Sequence, residues 1–172
     1  SKLIYFVVYI NSAVGSSVAS FTAQNIGGKK LDRVGRGLRG GIWLCAAVCV
    51  PATAFLLLFS RQAMTIFVPA ESGDIIAAGV GYLRIVAPFI FIVAVKQCCD
   101  GVLQGAGSAR EFMATTFSDL FLRVGLAYLL PVWLGYVGIW WAWPIGWALS
   151  AGLSVALYAR GHWKRVHLLE QV

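Results

Sequence analysis

Charge is what this chain has least of. Only 12% of its 172 residues are Asp, Glu, Lys or Arg and 59% are hydrophobic, whereas a soluble domain is about a quarter charged. That deficit excludes an ordinary water-soluble domain and points to an integral membrane protein. Acids are scarcest, seven against fourteen Lys and Arg, for a net charge of +7. Such a balance raises nucleic acid as a partner. It is rejected because the basic residues cluster in short segments between apolar runs, the positive-inside pattern of membrane proteins. Cysteine is sparse too: Cys45, Cys49, Cys98 and Cys99 all lie inside apolar runs. The last two are adjacent, with no CxxC spacing and no Cys/His cluster of metal-binding spacing, so they read as small buried apolar residues. No nucleophile elbow, phosphate loop, HExxH or dinucleotide fingerprint occurs, which argues against an enzyme and against a resident cofactor or metal.

What is present is a series of apolar runs. A membrane-spanning helix needs about 20 mostly apolar residues, and five spans are predicted at about 3–25, 41–60, 79–103, 112–134 and 139–159, with a tail over 160–172. The fold class expected is therefore all-α, an integral membrane protein of five transmembrane helices. No positively charged leader or cleavage site precedes the first run, so it does not read as a signal peptide. The sequence begins at Ser1 within a hydrophobic segment, its first Met is Met64, and it reads as a piece of a longer chain.

The first span carries Ser12, Ser16 and Ser20, and also Gly15, Ala19 and Ala23, at four-residue spacing. Such small-residue stripes let helices approach closely. Asn11, Gln24 and Asn25 are polar groups that this helix must satisfy. Residues 26–40 read as a short basic connection with a break at Gly27-Gly28, and a contact with anionic lipid is compatible with it. Pro51 is expected to kink the second span. A connection with Pro69, Glu71 and Asp74 follows, with Ser72 or Asp74 as a helix N-cap. The fifth span opens on Trp140, Trp141 and Trp143, followed by Trp147, and reads as an interfacial aromatic belt. Nine Lys and Arg fall in the 26–40 connection, the turn near Arg110 and the tail, against Lys2, Arg61 and Arg84 on the other side. This count puts the connection, the turn and the C-terminus in the cytoplasm.

Residues 96–128 hold the chemistry. Lys96 and Asp100 precede the turn Gly105-Ala106-Gly107-Ser108, and Asp119 and Arg123 follow it. Each pair is spaced i, i+4 and shares a helix face. An ionisable side chain at the bilayer centre costs on the order of 3 kcal/mol, so these four are expected to pair or to line water. At about 1.5 Å per residue, Lys96 lies roughly 12 Å from the turn and Asp119 roughly 14 Å. Lys96 and Asp119 thus sit at similar depth on adjacent antiparallel helices and are predicted to approach each other. Two readings stay open. The pairs read either as self-contained neutralisation on each helix or as a polar site facing a substrate or ion cavity, with Lys96, Gln97, Asp100, Asp119, Arg123, Asn11 and Gln24 as the candidates.

Three stretches carry a family resemblance. SVASFTAQNIGGKKLDRV (17–34) is a small-residue helix ending in Gln, a glycine turn and a basic segment. DGVLQGAGSAREF (100–112) holds a G-x-L-x-G-x-G turn followed by Arg. LRVGLAYLL and GYVGIWWAWPIGW follow in order between residues 122 and 147. Together they resemble the C-terminal half of multidrug and toxic compound extrusion (MATE) transporters, with Gly28 where that family often has Ala. The resemblance implies a twelve-helix, two-lobe fold of which this chain holds helices eight to twelve, a partial C-terminal lobe. Its partners would then be the lipid bilayer, a missing N-terminal lobe of the same chain and small organic substrates, and not nucleic acid.

The resemblance further implies an antiporter in a cell membrane that exports drugs or other organic compounds in exchange for Na⁺ or H⁺. The family's N-lobe acid for the coupling ion is not in this sequence, and no tenth-helix cation ligand is carried over by motif. Two other readings remain: a lipid-linked oligosaccharide flippase of the same superfamily, for which Lys96 and Arg123 would supply cationic groups, and a non-transporting membrane scaffold. A cavity edged by Phe, Trp and Met would suit large aromatic substrates.

Overall fold

The computed structural model describes residues 2–65 and 73–164. It is all-helical, with no strand among the described residues. Five helical segments are long and apolar enough to cross a membrane: Ile4–Gly27, Leu31–Leu58, Gly73–Gly105, Ala109–Leu134 and Tyr136–Arg160. The helices are α1 (Lys2–Gly27), α2 (Leu31–Leu58), the short α3 (Ser60–Thr65), α4 (Gly73–Val86), α5 (Ile90–Gly105), α6 (Ala109–Leu134) and α7 (Tyr136–Arg160). Ser1, the connection through Pro69 and Glu71, the Ser72 cap and the tail beyond Lys164 lie outside the described residues. Asp74 stands in the first turn of α4, where a carboxylate complements the helix dipole.

The basic connection is much shorter than the composition implies. Residues 31–40 belong to α2, and only Gly28–Lys30 link it to α1. Three features favour helix here. Arg and Lys are good helix formers, Asp32 occupies the first turn, and Arg36 reaches back to Asp32 at 3.2 Å. Gly37 lies against the Phe21 ring and Gly41 against Val18 and Cys98, so these glycines are kept by packing against propensity. The chain reverses at Lys29, whose φ is 58°. Lys29 N–H donates to Ile26 O and Lys30 N–H to Asn25 O, at 2.9 and 2.8 Å. This is the Schellman pattern, with lysine in the left-handed position that glycine normally takes. The same pattern closes α5, there with Gly107 at φ 74° and Ser108 N–H on Leu103 O at 3.0 Å.

The third span is two helices. Pro88 has no N–H to give the Arg84 carbonyl, and the helix yields to a 3₁₀ turn over Ala87–Phe89. Thr53 of α2 donates to the Ala87 carbonyl at 3.1 Å, tying α2 to this break. Pro51 stays inside α2 without ending it.

α5 is the centre of the lobe: ten of its residues, from Ile90 to Leu103, are buried. It packs on α1, α2 and α7. The α1–α5 contact is a meeting of backbones. A Cβ at Gly101 would strike the Gly15 carbonyl, one at Gly105 the Ala19 carbonyl, and one at Gly15 would lie 2.9 Å from the Gln97 carbonyl oxygen. The small stripe of α1 therefore has a partner stripe, Gly101 and Gly105, on α5. The serine stripe points elsewhere: Ser12, Ser16 and Ser20 are exposed.

α6 does not lie mainly against α5, although the Gly turn joins them. It packs chiefly on α7, and α7 in turn packs on α5. Gly138 permits the tight start of α7, since a Cβ there would sit 2.5 Å from the Leu130 carbonyl carbon. The expected adjacency of the third and fourth spans is thereby corrected: α6 has α7, not α5, as its main neighbour.

Candidate functional site

Each charged pair closes within its own helix. Lys96 Nζ donates to Asp100 Oδ2 at 2.5 Å, and Arg123 Nη2 lies 2.9 Å from Asp119 Oδ2. No ion pair joins Lys96 to Asp119 among the described residues. The Lys96–Asp100 side chains are about one-tenth exposed, and the Asp119–Arg123 pair is more open, with Arg123 at 30%.

α7 holds both pairs from the other side. Ser154 Oγ donates to Asp100 Oδ1 at 2.7 Å, and Ser150 Oγ donates to Asp119 Oδ1 at 2.9 Å. Ser150 also reaches the Trp147 carbonyl at 3.3 Å. The two serines are four residues apart, so one face of α7 presents both hydroxyls, and both are fully buried. Every carboxylate oxygen of the two pairs thus has a partner. Pairing of this kind is what an apolar surrounding demands.

The tryptophans are not an interfacial girdle alone. Trp143 stacks under the Arg123 guanidinium, 5.0 Å from ring centroid to Cζ, and meets Tyr5 and Trp147 edge-on at 6.4 and 5.7 Å. Trp147 is 5% exposed. Trp140 packs on Tyr82 and Tyr136, and Trp141 on Phe89. The ring cluster turns inward because α7 needs an apolar face toward α4 and α5. The Arg123 stem lies against Gly146, where any side chain would displace it.

These groups enclose a cavity of ≈220 Å³. Lys96, Gln97, Asp119 and Arg123 line it together with Ile4, Tyr5, Val8, Tyr82, Val93, Trp143 and Trp147. Tyrosine and tryptophan edge it, and the expected Phe and Met do not. Asp100 opens instead on a second cavity of ≈220 Å³ with Ser12, Ser16, Gln97, Gln104 and Thr116. Gln97 borders both, and its Oε1 is buried without a hydrogen-bond partner, as is Arg123 Nε.

The remaining two candidates lie apart from the main cavity. Asn11 is fully buried between α1 and α2, paired with Cys49 through both of its amide atoms at 3.3 Å. Gln24 is in an exposed groove of α1 with Ser16, Ser17, Ser20 and Phe21. The cysteines are all buried and unbridged, with Cys45 and Cys98 Sγ 3.9 Å apart, and no group of three His, Cys, Asp or Glu able to hold a metal is found among the described residues. The residues missed in the sequence are Ser150, Ser154, Trp143, Tyr5 and Tyr82. Two serines four apart in the fifth apolar span were the available signal for the first two.

A family model described as MatE matches residues 1–129. The chain belongs to the MatE family. Among curated proteins, this MatE chain is 25% identical over 160 residues to the probable multidrug resistance protein YpnP of Bacillus subtilis, covering 92% of this chain and 36% of that protein. It is 26% identical to multidrug and toxin extrusion protein 2 of Mus musculus, covering 94% and 27%. It is 24% identical to the probable multidrug resistance protein YoeA of Bacillus subtilis, covering 89% and 33%. The chain spans about a third of the length of the curated relatives it matches. No solved structure matches it at a significant level. MatE membership and five apolar spanning helices make this a multi-pass membrane protein.

Proposed function

We propose that this chain is part of the C-terminal lobe of a secondary active antiporter that exports organic compounds across the cell membrane in exchange for Na⁺ or H⁺. The observation that carries the reading is the cavity beside α5, where Lys96, Gln97, Asp119 and Arg123 meet an aromatic wall inside the spanning region. Intramembrane charges facing a cavity mark substrate or ion routes, and transporter sites lie between helices near the bilayer midplane. The names of the MatE relatives, multidrug resistance and toxin extrusion, support export of organic compounds. The concentration of Lys and Arg over residues 29–39 and 160–165 supports a cytoplasmic C-terminus. Lipid-linked oligosaccharide export is the second reading, favoured by two cations on one cavity. The small volume weighs against it.

The test is organic-dye efflux from cells that express the gene's product, with and without dissipation of the Na⁺ and H⁺ gradients. Two doubles, Lys96→Gln/Asp100→Asn and Asp119→Asn/Arg123→Gln, remove both charges of a pair and so preserve charge balance. Export that depends on a gradient and falls by about tenfold or more in either double, at normal membrane insertion, supports the proposal. Undiminished export in both doubles would assign the pairs to neutralisation alone, and absence of any gradient-driven export would refute the antiporter.

A further inference from the structure

The polar groups of the main cavity are unequal in what they have left to offer. Asp119, the carboxylate that lines this cavity, is balanced by Arg123 and accepts from Ser150, and Asp100, which opens on the second cavity, is balanced by Lys96 and accepts from Ser154. Each cation keeps free donors. A lysine ammonium carries three N–H donors and a guanidinium five. Lys96 makes one hydrogen bond, to Asp100. Arg123 makes one charged contact, to Asp119, and its Nε is buried without a partner. The Gln97 amide, on the same wall, makes no side-chain hydrogen bond among the described residues, so its N–H groups are free to donate, while its orphaned Oε1 is an acceptor that an anion does not satisfy. The buried Arg123 Nε calls for an acceptor. Both serine hydroxyls, the other donors near the acids, point their hydrogens at those acids. The free N–H donors on this cavity therefore belong to Lys96 and Arg123, each beside a carboxylate whose charge is already balanced.

The wall around them is aromatic. Tyr5, Tyr82, Trp143 and Trp147 line the same cavity, and Trp143 already carries a cation on one face through Arg123. A ligand cation entering here would meet two fixed cations and carboxylates that are already neutralised, and would have to displace Lys96 or Arg123 to reach an acid. A ligand carboxylate would find free N–H groups without breaking either pair. The volume of ≈220 Å³ is below the ~300 Å³ at which drug-sized sites begin, which suits one or two rings.

We propose that this cavity binds the carboxylate end of a small aromatic organic acid, held by Lys96, Gln97 and Arg123 with its ring against the Trp143–Trp147 wall. The inference rests on the exporter reading and names its substrate class.

Binding is measured on the protein as its cells make it, purified into lipid nanodiscs, by calorimetry and tryptophan fluorescence. Three probes share one ring system and differ only in charge: 2-naphthoate, 2-naphthylmethanol and 2-naphthylmethylammonium. The expected order is naphthoate tightest, with the alcohol about tenfold weaker or more, since one charge-assisted hydrogen bond is worth roughly that factor. The ammonium should be weaker still. Arg123→Lys should weaken naphthoate by a larger factor than it weakens the alcohol. Lys96→Gln/Asp100→Asn, which keeps the charge balance, should do the same. Equal or tighter binding of the ammonium, no binding of any probe, or naphthoate binding indifferent to both variants would overturn the proposal. The charge series on the unaltered protein decides even if a variant fails to fold. Naphthoate binding without gradient-driven efflux would sink the antiporter reading alone. Efflux that prefers the ammonium would sink only the substrate class.

Discussion

Ser154 donates a 2.7 Å hydrogen bond to Asp100 from a helix that follows it by more than fifty residues. That bond, with its counterpart from Ser150 to Asp119 one turn earlier, makes α7 the strap on which the two charged helices hang. α5 and α6 adjoin in sequence through a tight turn, yet the carboxylates of both are held by a third helix that packs on each.

Ser154→Ala removes the one partner that Asp100 Oδ1 has among the described residues, in a nearly closed site. The expected loss is about 1–3 kcal/mol, the cost of an unsatisfied buried acceptor. Ser150→Ala is expected to cost less, because the Asp119–Arg123 pair is more open to solvent. Thermal unfolding midpoints in detergent, compared between the two variants, check both the size and the order.

Lys96→Gln alone leaves Asp100 as a buried carboxylate without its cation, and a broken buried pair costs roughly 3–5 kcal/mol. Adding Asp100→Asn should restore most of that loss, because the remaining amides can bond to each other and to Ser154. A double variant no more stable than the single in an unfolding titration would show that Asp100 has another counter-charge.

Gly101→Ala places a methyl on the Gly15 carbonyl, a backbone atom that cannot swing aside. Overpacking of this kind costs typically about 1–3 kcal/mol. Gly125→Ala, at a position with open space around it, is the control and should be neutral or slightly stabilising. A circular-dichroism melt in which both variants behave alike would remove the close α1–α5 contact from the account.

Lys29→Gly should stabilise the α1–α2 turn. Lysine there holds φ at 58°, a left-handed conformation that costs an L-residue roughly 1–2 kcal/mol and a glycine almost nothing. A rise in the thermal midpoint is expected, and an unchanged or lower midpoint would mean that the Lys29 side chain contributes more than its backbone costs.

Trp143→Ala removes the ring beneath Arg123, an interaction of about 0.5–2 kcal/mol, and loosens the cavity wall. Trp143→Phe keeps a ring and should retain part of it. Melts of the two variants that coincide would place the stabilisation in packing area alone.

Much of this was legible in local pattern. The apolar runs gave the five spans, and i, i+4 spacing alone placed Lys96 with Asp100 and Asp119 with Arg123. Those contacts need only one helix, so sequence distance encodes them. The basic run at 26–40 was harder: the break at Gly27-Gly28 is there, but the residues from Leu31 on are helical. Gly37 and Gly41 are held in α2 by Phe21 and Val18 of another helix, a contact that no local pattern contains. Asn11 looked like a group for a polar route, but its partner Cys49 lies thirty-eight residues on.

By itself, then, the sequence determined an all-helical membrane chain, the approximate places of its spans, and the i, i+4 placement of two charged pairs, because hydrophobic length and helical spacing are properties of single segments. Only the tertiary structure decided that α7 packs on both α5 and α6, that Ser150 and Ser154 complete the acids, and that Trp143 and Trp147 turn inward over Arg123. Those outcomes depend on which helix faces meet, and that is set by backbone approach at small residues such as Gly15, Gly101 and Gly138, where packing between distant segments, rather than composition within one, fixes the arrangement.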